Sequence, residues 1–216
     1  MSISVKGGEK VIYIYAFILF LLLVTLVNMM KPTWKFIAIG FLIAALEEFI
    51  TQGVLPNKLI GWIIPTFVAF IPFLIITRFL AIWFDARLGE ARGAFRHYLV
   101  AGLIGLMVEW FLIGLSPWSM VGQGPLPLIF IFQFGMFSFW ASVGFAPRLI
   151  LDGREEVVHI RKWFKRFLML GFLIIYFLTF AVTKQNQFLV SILAVLATFT
   201  LCNIFYQKYF RILKVC

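Results

Sequence analysis

Charged residues, histidines and cysteines are scarce in this sequence, and each shortage excludes a class of function. Only 13% of the 216 residues are charged, against about a quarter in an average globular domain. The two histidines and two cysteines form no spacing typical of a metal, haem or copper site. No phosphate-binding loop and no Ser-His-Asp order is present either. The sequence therefore predicts neither a metal site nor a bound cofactor.

Hydrophobic residues take the place of the missing polar ones. They make up 63% of the chain, the mean hydropathy is +1.03, and phenylalanine alone contributes 27 residues. This composition is typical of a multi-pass integral membrane protein, for which we expect a cell or cytoplasmic membrane. We expect one membrane domain over residues 1–216, with membrane lipids as its partners and no separate water-soluble domain. A homo- or hetero-oligomer is compatible with the composition.

Seven hydrophobic runs predict seven transmembrane helices, because one crossing of a bilayer takes about 20 apolar residues. The runs are 11–30, 36–55, 60–83, 97–115, 126–146, 167–182 and 188–205, the last two lying within about 163–206. Charged loops are predicted at 85–96 and, most basic of all, from Arg148 to Arg166. The expected fold class is therefore all-α, a polytopic bundle of seven transmembrane helices.

The basic residues predict the orientation of these helices. Fifteen lysines and arginines fall on the side of the carboxyl-terminal tail, and four fall on the other side. Because cytoplasmic loops carry an excess of lysine and arginine, we expect the amino terminus outside and the carboxyl terminus inside. The same helix-end residues explain the net charge of +10. We therefore expect the Arg148–Arg166 loop to meet anionic lipid headgroups, and we expect no nucleic-acid binding.

Two stretches of the chain resemble each other at a constant spacing of 61 residues. Residues 42–56 align without a gap with residues 103–117, so that Glu48 matches Glu109. Each copy contains a carboxylate within an apolar run, and a glycine and a proline mark the end of that run. A second apolar run follows and ends at an arginine, Arg87 or Arg148. The copies cover about 36–88 and about 97–149. Since two helices return the chain to its starting side, we expect two parallel repeats about an axis along the membrane normal.

The matched glutamates are the candidate catalytic residues. Each lies eight residues before its proline, roughly 12 Å inside the end of its helix. An ionised carboxylate at that depth costs about 2.5 to 3.5 kcal/mol, so it should face a cavity or a partner, or stay protonated. Small residues at helical spacing predict close helix contacts on the same faces: Ala44, Ala45, Gly102 and Gly105. We therefore expect Glu48 and Glu109 to approach each other, or one cavity, across the pseudo-twofold axis.

Gln52 is the third candidate residue, because it lies one turn after Glu48 and can hydrogen-bond the site together with Thr51. The second copy has Leu112 and Ile113 at the matching positions, so the two halves differ chemically.

One short stretch resembles a known motif. Glu47-Glu48, followed by Gln52-Gly53 and Pro56, resembles about ten residues of the first motif of CAAX-type intramembrane proteases, in which paired glutamates precede an Arg-Gly. Gln52 stands in place of that arginine, and the later membrane histidine motifs of the family have no counterpart. The resemblance implies a degenerate protease-like protein.

The glutamates leave several functions open. The preferred hypothesis is a small membrane enzyme acting on a lipid or isoprenoid, because a protonated carboxyl can donate a proton to an alkene while its partner removes one. Aromatic side chains that could stabilise a carbocation, or simply pack, include Trp110, Phe111, Phe134 and Trp140. The alternatives are a proton- or cation-coupled small transporter and an accessory subunit whose glutamates only join helices.

Overall fold

The computed structural model of the protein describes residues 30–54, 63–122, 124–181 and 184–214, and only the backbone of residues 52–54, 179–181, 184, 185, 187 and 188. This part of the chain contains helices and turns, and no strand. The α-helices are α1 (Pro32–Glu48), α2 (Ile63–Leu88), α3 (Glu90–Val108), α4 (Pro117–Met120), α5 (Leu126–Leu151), α6 (Glu155–Ala181) and α7 (Lys184–Ile212).

Two of these helices continue into π-helical turns. The turn π1 (Phe49–Val54) follows α1, and the turn π2 (Glu109–Ile113) follows α3, each without a break in the chain of helical residues. The glutamates that match in the sequence lie at these two transitions. Glu48 is the last residue of α1, and Glu109 is the first residue of π2.

Among the residues that the structure describes, four helical segments are long and apolar enough to cross a membrane. They are Ile63–Leu88, Glu90–Ile113, Leu126–Leu151 and Leu189–Ile212. The all-α class and the membrane character of the chain are thus confirmed by length and composition. Seven crossings and their orientation stay predictions, and the first predicted span, 11–30, lies outside the described residues except for Met30.

The outer surface of the bundle is apolar. Large hydrophobic side chains such as Ile64, Phe79 and Phe130 are more than half exposed. A monomer in water rarely exposes so much contiguous apolar surface, whereas lipid tails cover it at no cost. Tryptophans near helix ends are also exposed, as expected for aromatic belts at a membrane interface: Trp34, Trp83, Trp118 and Trp163.

Helix α5 is the centre of the fold. It packs against α1, α2, α3, α6 and α7. The helices α1, α2, α3 and α5 form a closed ring in which each helix contacts the next, and α7 packs on α5 with α6 against it. The buried face of α5 contributes Trp140, Val143 and Phe145 to the core, all at most 1% exposed. Helix α5 therefore contributes to the packing of most of the bundle.

The predicted charged loops at 85–96 and 148–166 are wrong. Helix α2 continues to Leu88 and α3 begins at Glu90, so that Gly89 alone connects them, with a φ of +75° that favours glycine. Helix α5 likewise continues to Leu151, and α6 begins at Glu155. A charged residue marks the edge of the hydrocarbon layer, but the helix continues in water because its backbone hydrogen bonds are internal.

An ion pair joins three of the ring helices at one end. Arg148 on α5 binds the Asp85 carboxylate on α2 at 2.9 Å and donates a hydrogen bond to the carbonyl oxygen of Glu90 on α3 at 3.3 Å. The Arg148 side chain is only 11% exposed. Gly93 lets α3 approach Asp85, since a Cβ at this position would overlap the aspartate.

The turn between α5 and α6 is fixed by Asp152. Its carboxylate accepts hydrogen bonds from the Arg154 amide at 3.0 Å and from the Tyr209 hydroxyl at 2.8 Å, and it also pairs with the Arg154 guanidinium. Burial alone would raise the pKa of Asp152, but the hydrogen bonds from Arg154 and Tyr209 outweigh burial and hold the pKa below its ordinary value. Arg154 also reaches Glu90 at 3.1 Å, so the turn connects α3, α5, α6 and α7.

Replacing Asp152 tests this connection. We expect Asp152→Asn to lower the free energy of unfolding by about 1–3 kcal/mol at neutral pH, because Arg154 and Tyr209 lose a charged acceptor. The native pKa lies below the unfolded value of about 3.9, so the wild type loses this stabilisation as the pH falls through the native pKa. The difference between wild type and variant should therefore shrink in acid. Denaturant unfolding in detergent at neutral and acid pH measures it, with Glu155→Gln as an exposed control.

Replacing Gly40 tests the packing of α1. A Cβ at Gly40 would overlap Leu74 of α2 and come within 2.8 Å of the Val143 carbonyl oxygen of α5. Gly40→Ala should lower the free energy of unfolding by about 1–3 kcal/mol, because backbones must move apart. Gly153→Ala is the matched control, since a Cβ at 153 meets nothing within 4 Å. Equal thermal unfolding of the two variants in detergent would contradict the close approach of α1.

Candidate functional site

The site is built on Trp140, whose ring is fixed on all sides. The indole stacks on Phe70 with ring centroids 4.8 Å apart and meets Phe73 edge to face, also at 4.8 Å. Gly105 of α3 lies under the ring, where a Cβ would overlap it. The predicted close contacts at Gly102 and Gly105 are confirmed, because Gly102 packs in the same way against Phe137. The orientation of the indole N–H is thereby set by packing.

Glu109 accepts a hydrogen bond from the indole N–H group of Trp140. The Trp140 Nε1–H donates a hydrogen bond to Glu109 Oε1 at 2.9 Å, and the glutamate is 4% exposed. A hydrogen bond to a charged acceptor is worth about 1.5–3 kcal/mol, and a buried carboxyl without one would cost a similar amount. The bond fixes one carboxyl oxygen.

Glu48 and Glu47 lie near Glu109. Both are half-buried at the end of α1, and the carboxyls of both lie close enough to that of Glu109 for a direct electrostatic interaction. The structure therefore brings together the two glutamates that match in the sequence and adds Glu47, which the repeat does not single out. The three acids share one apolar region but differ in exposure, since Glu109 alone is fully buried.

The π-helical turns reshape the backbone next to the acids. The carbonyl of Glu109 accepts hydrogen bonds from the amides of Gly114 and of Leu115, the latter at 2.9 Å, and Gly114 has a φ of +86°. Such turns are rare and occur often at functional sites. The spans predicted from the sequence do not include these turns. The glycine five residues after each glutamate, Gly53 or Gly114, is the only signal that could have indicated them.

The other residues of the first copy are placed only in part. The Thr51 hydroxyl donates to the Glu47 carbonyl oxygen at 3.1 Å, so it stabilises the π1 backbone. The backbone of Gln52 lies in π1, while its side chain is outside the described residues. A role for Gln52 stays a prediction.

Of the four aromatic candidates, only Trp140 contacts a candidate glutamate, through its hydrogen bond to Glu109. The Trp110 N–H donates to Gln133 Oε1 at 2.7 Å, and Gln133 donates to the Leu115 carbonyl at 2.9 Å, which ties the end of π2 to α5. Phe111 and Phe134 lie on the outer surface, 71% and 52% exposed. These three side chains therefore have packing or lipid-facing positions.

Neither histidine joins the acids. His97 is fully buried, and its ring lies 6.2 Å from that of Phe36 and 5.6 Å from that of Phe145. His159 is exposed beside Trp163 on α6. Within the described ranges, no group of three or more histidine, cysteine, aspartate or glutamate side chains could hold a metal ion. The acids are thus the chemically competent groups of the site.

Comparison of the chain with protein-family models, curated proteins and solved structures finds no match.

A double-mutant cycle tests the central contact. Trp140→Phe and Glu109→Leu each remove one partner of the hydrogen bond, so their effects on unfolding should not add. We expect a coupling free energy of about 1–3 kcal/mol from thermal or denaturant unfolding in detergent. The control pairs Glu109→Leu with Trp163→Phe, an exposed tryptophan on α6, and should be additive within about 0.5 kcal/mol. Additivity of the Trp140 pair would contradict the bond.

Proposed function

We propose that the protein is a small membrane enzyme that acts on a lipid or isoprenoid by acid–base chemistry at Glu109 and Glu48. The observation that carries this proposal is a buried carboxyl, held by the Trp140 N–H, beside a half-buried one. Two interacting carboxyls in different environments are the usual arrangement for separate acid and base roles.

The exposure of each carboxyl suggests its role. Glu48 is half-buried, so it can exchange protons with its surroundings and act as the acid that protonates an alkene carbon. Protonation leaves a cation at the other alkene carbon. Glu109 has one oxygen fixed by Trp140, which leaves the other to remove a proton from the next carbon beyond that cation. The double bond then forms at the new position. The proton returns from Glu109 to Glu48, and the isomerisation needs no cofactor.

A hydrocarbon substrate can approach from the lipid. Phe111 and Leu112, two and three residues after Glu109, are 71% and 81% exposed on an apolar surface. A substrate dissolved in the bilayer therefore meets an apolar wall at the level of π2. Water-soluble substrates would have no such path through lipid.

A transporter is the second candidate, favoured by one observation. Both matched glutamates lie at π-helical transitions, and acidic residues beside locally irregular helix backbone are typical of ion sites in carriers. In this case Glu48 and Glu109 would bind and release a proton or cation.

The proposal includes a topology of seven crossings, with the amino terminus outside, and two parallel repeats. The ring supports the repeats, because exchanging α1 and α2 with α3 and α5 maps its four contacts onto one another. Two matched pairs also meet across the ring: Glu48 with Glu109, and Phe36 with His97. We place the protein in a cell or cytoplasmic membrane, with the basic helix ends of 148–166 at anionic headgroups.

The test is a lipid profile of membranes with and without the chain. We expect the wild type to change the abundance of a lipid or isoprenoid species, and Glu109→Gln and Glu48→Gln to reduce the rate of that change by at least about 100-fold. Glu156→Gln, at the exposed start of α6, is the matched control and should keep the wild-type profile. Detergent-solubilised yield and unfolding temperature show that the variants fold.

Two further outcomes separate the alternatives. Identical lipid profiles together with glutamate-dependent proton flux in liposomes would replace the enzyme by the transporter. Identical profiles, no flux and a large loss of folded protein in both glutamine variants would assign the acids to helix packing alone.

A further inference from the structure

A groove of about 400 Å³ lies between α3, α5 and α7, away from the glutamates. Its apolar walls include Phe95 of α3, Phe134 of α5 and Phe210 of α7, and its mouth carries Gln207 and Arg211. The groove is therefore amphipathic. Nothing in the proposed acid–base chemistry uses it.

The floor of the groove is a buried polar network. The Tyr98 hydroxyl donates to Asn203 Oδ1 at 2.7 Å, and Asn203 Nδ2 donates to the Ser138 hydroxyl at 2.8 Å. Tyr206 also lines the groove but is only 1% exposed, and its hydroxyl lies against the buried side chains of Ser142 and Cys202. The polar groups beneath the groove are thus paired within the protein, so a bound molecule would meet mainly the apolar walls and the polar mouth.

Polarity falls along the groove from Arg211 inwards. Arg211 is exposed in the last turn of α7 and forms no ion pair among the described side chains. Asn203 is eight residues earlier, roughly 12 Å along the helix. Phe134 lies deeper still, because α5 and α7 run in the same direction and Phe134 precedes Ser138, the neighbour of Asn203, by one turn.

We propose that this groove binds one anionic phospholipid. Its phosphate lies against Arg211 and Gln207, and one acyl chain extends along the apolar walls towards Phe134. Arg211 ends a helix segment that is apolar enough to cross a membrane, which is the level of phospholipid headgroups. A lone arginine at that level matches one phosphate, and an apolar end roughly a dozen ångströms deeper matches an acyl chain.

Titration of the purified full chain with fluorescent phosphatidylglycerol and phosphatidylcholine tests the site. We expect phosphatidylglycerol to bind at least about tenfold more tightly, and Arg211→Gln to abolish that preference. Lys208→Gln is the matched control, because Lys208 is exposed on the same helix but does not line the groove, and its affinity should stay within about twofold. Millimolar inorganic phosphate should not compete.

Three results would overturn the proposal. They are equal affinity for the two lipids, equal weakening by Arg211→Gln and Lys208→Gln, and displacement by inorganic phosphate. Photolabelling with a phosphatidylglycerol that carries a diazirine in its acyl chain gives the position independently. Labels should fall near Phe134, and labels confined to α2 or α6 would contradict the site.

Discussion

The hydrogen bond from Trp140 to Glu109 is the constraint on which the ring of helices depends. A carboxyl enters an apolar bundle only if a donor or a second polar group compensates for its lost hydration. The donor here is an indole whose position is set by Phe70, Phe73 and Gly105. Packing between α2, α3 and α5 thus determines where the acid can be, and the acid in turn requires that packing.

The second acid follows from the position of α1. This helix packs on α2 and α5, and its close approach at Gly40 brings Glu47 and Glu48 towards Glu109. Because α1 holds Glu47 and Glu48 while π2, at the end of α3, holds Glu109, the local polarity depends on the mutual arrangement of the ring helices. A small shift of α1 alone would change the interaction between the carboxyls without breaking the bond from Trp140.

The sequence is sufficient for the helical class, the apolar exterior and the two matched glutamates, because these depend on composition and spacing. It also predicts the close contacts at Gly102 and Gly105, since small residues at helical spacing permit little else. Helix ends were missed, because a charge reports the membrane edge and not the last hydrogen-bonded turn. The role of Trp140 and the network around Asp152 depend on which helices become neighbours. Composition and residue spacing do not indicate which helices pack against each other.

The connection at Gly89 has a mechanical consequence. A single residue between α2 and α3 leaves almost no slack, and the Asp85–Arg148 pair holds the same end to α5. The one-residue connection and the ion pair thus hold α2, α3 and α5 together at one end of the bundle, so large relative movement there is suppressed. Any displacement of these helices relative to one another therefore grows with distance from this end, towards the π-helical turns.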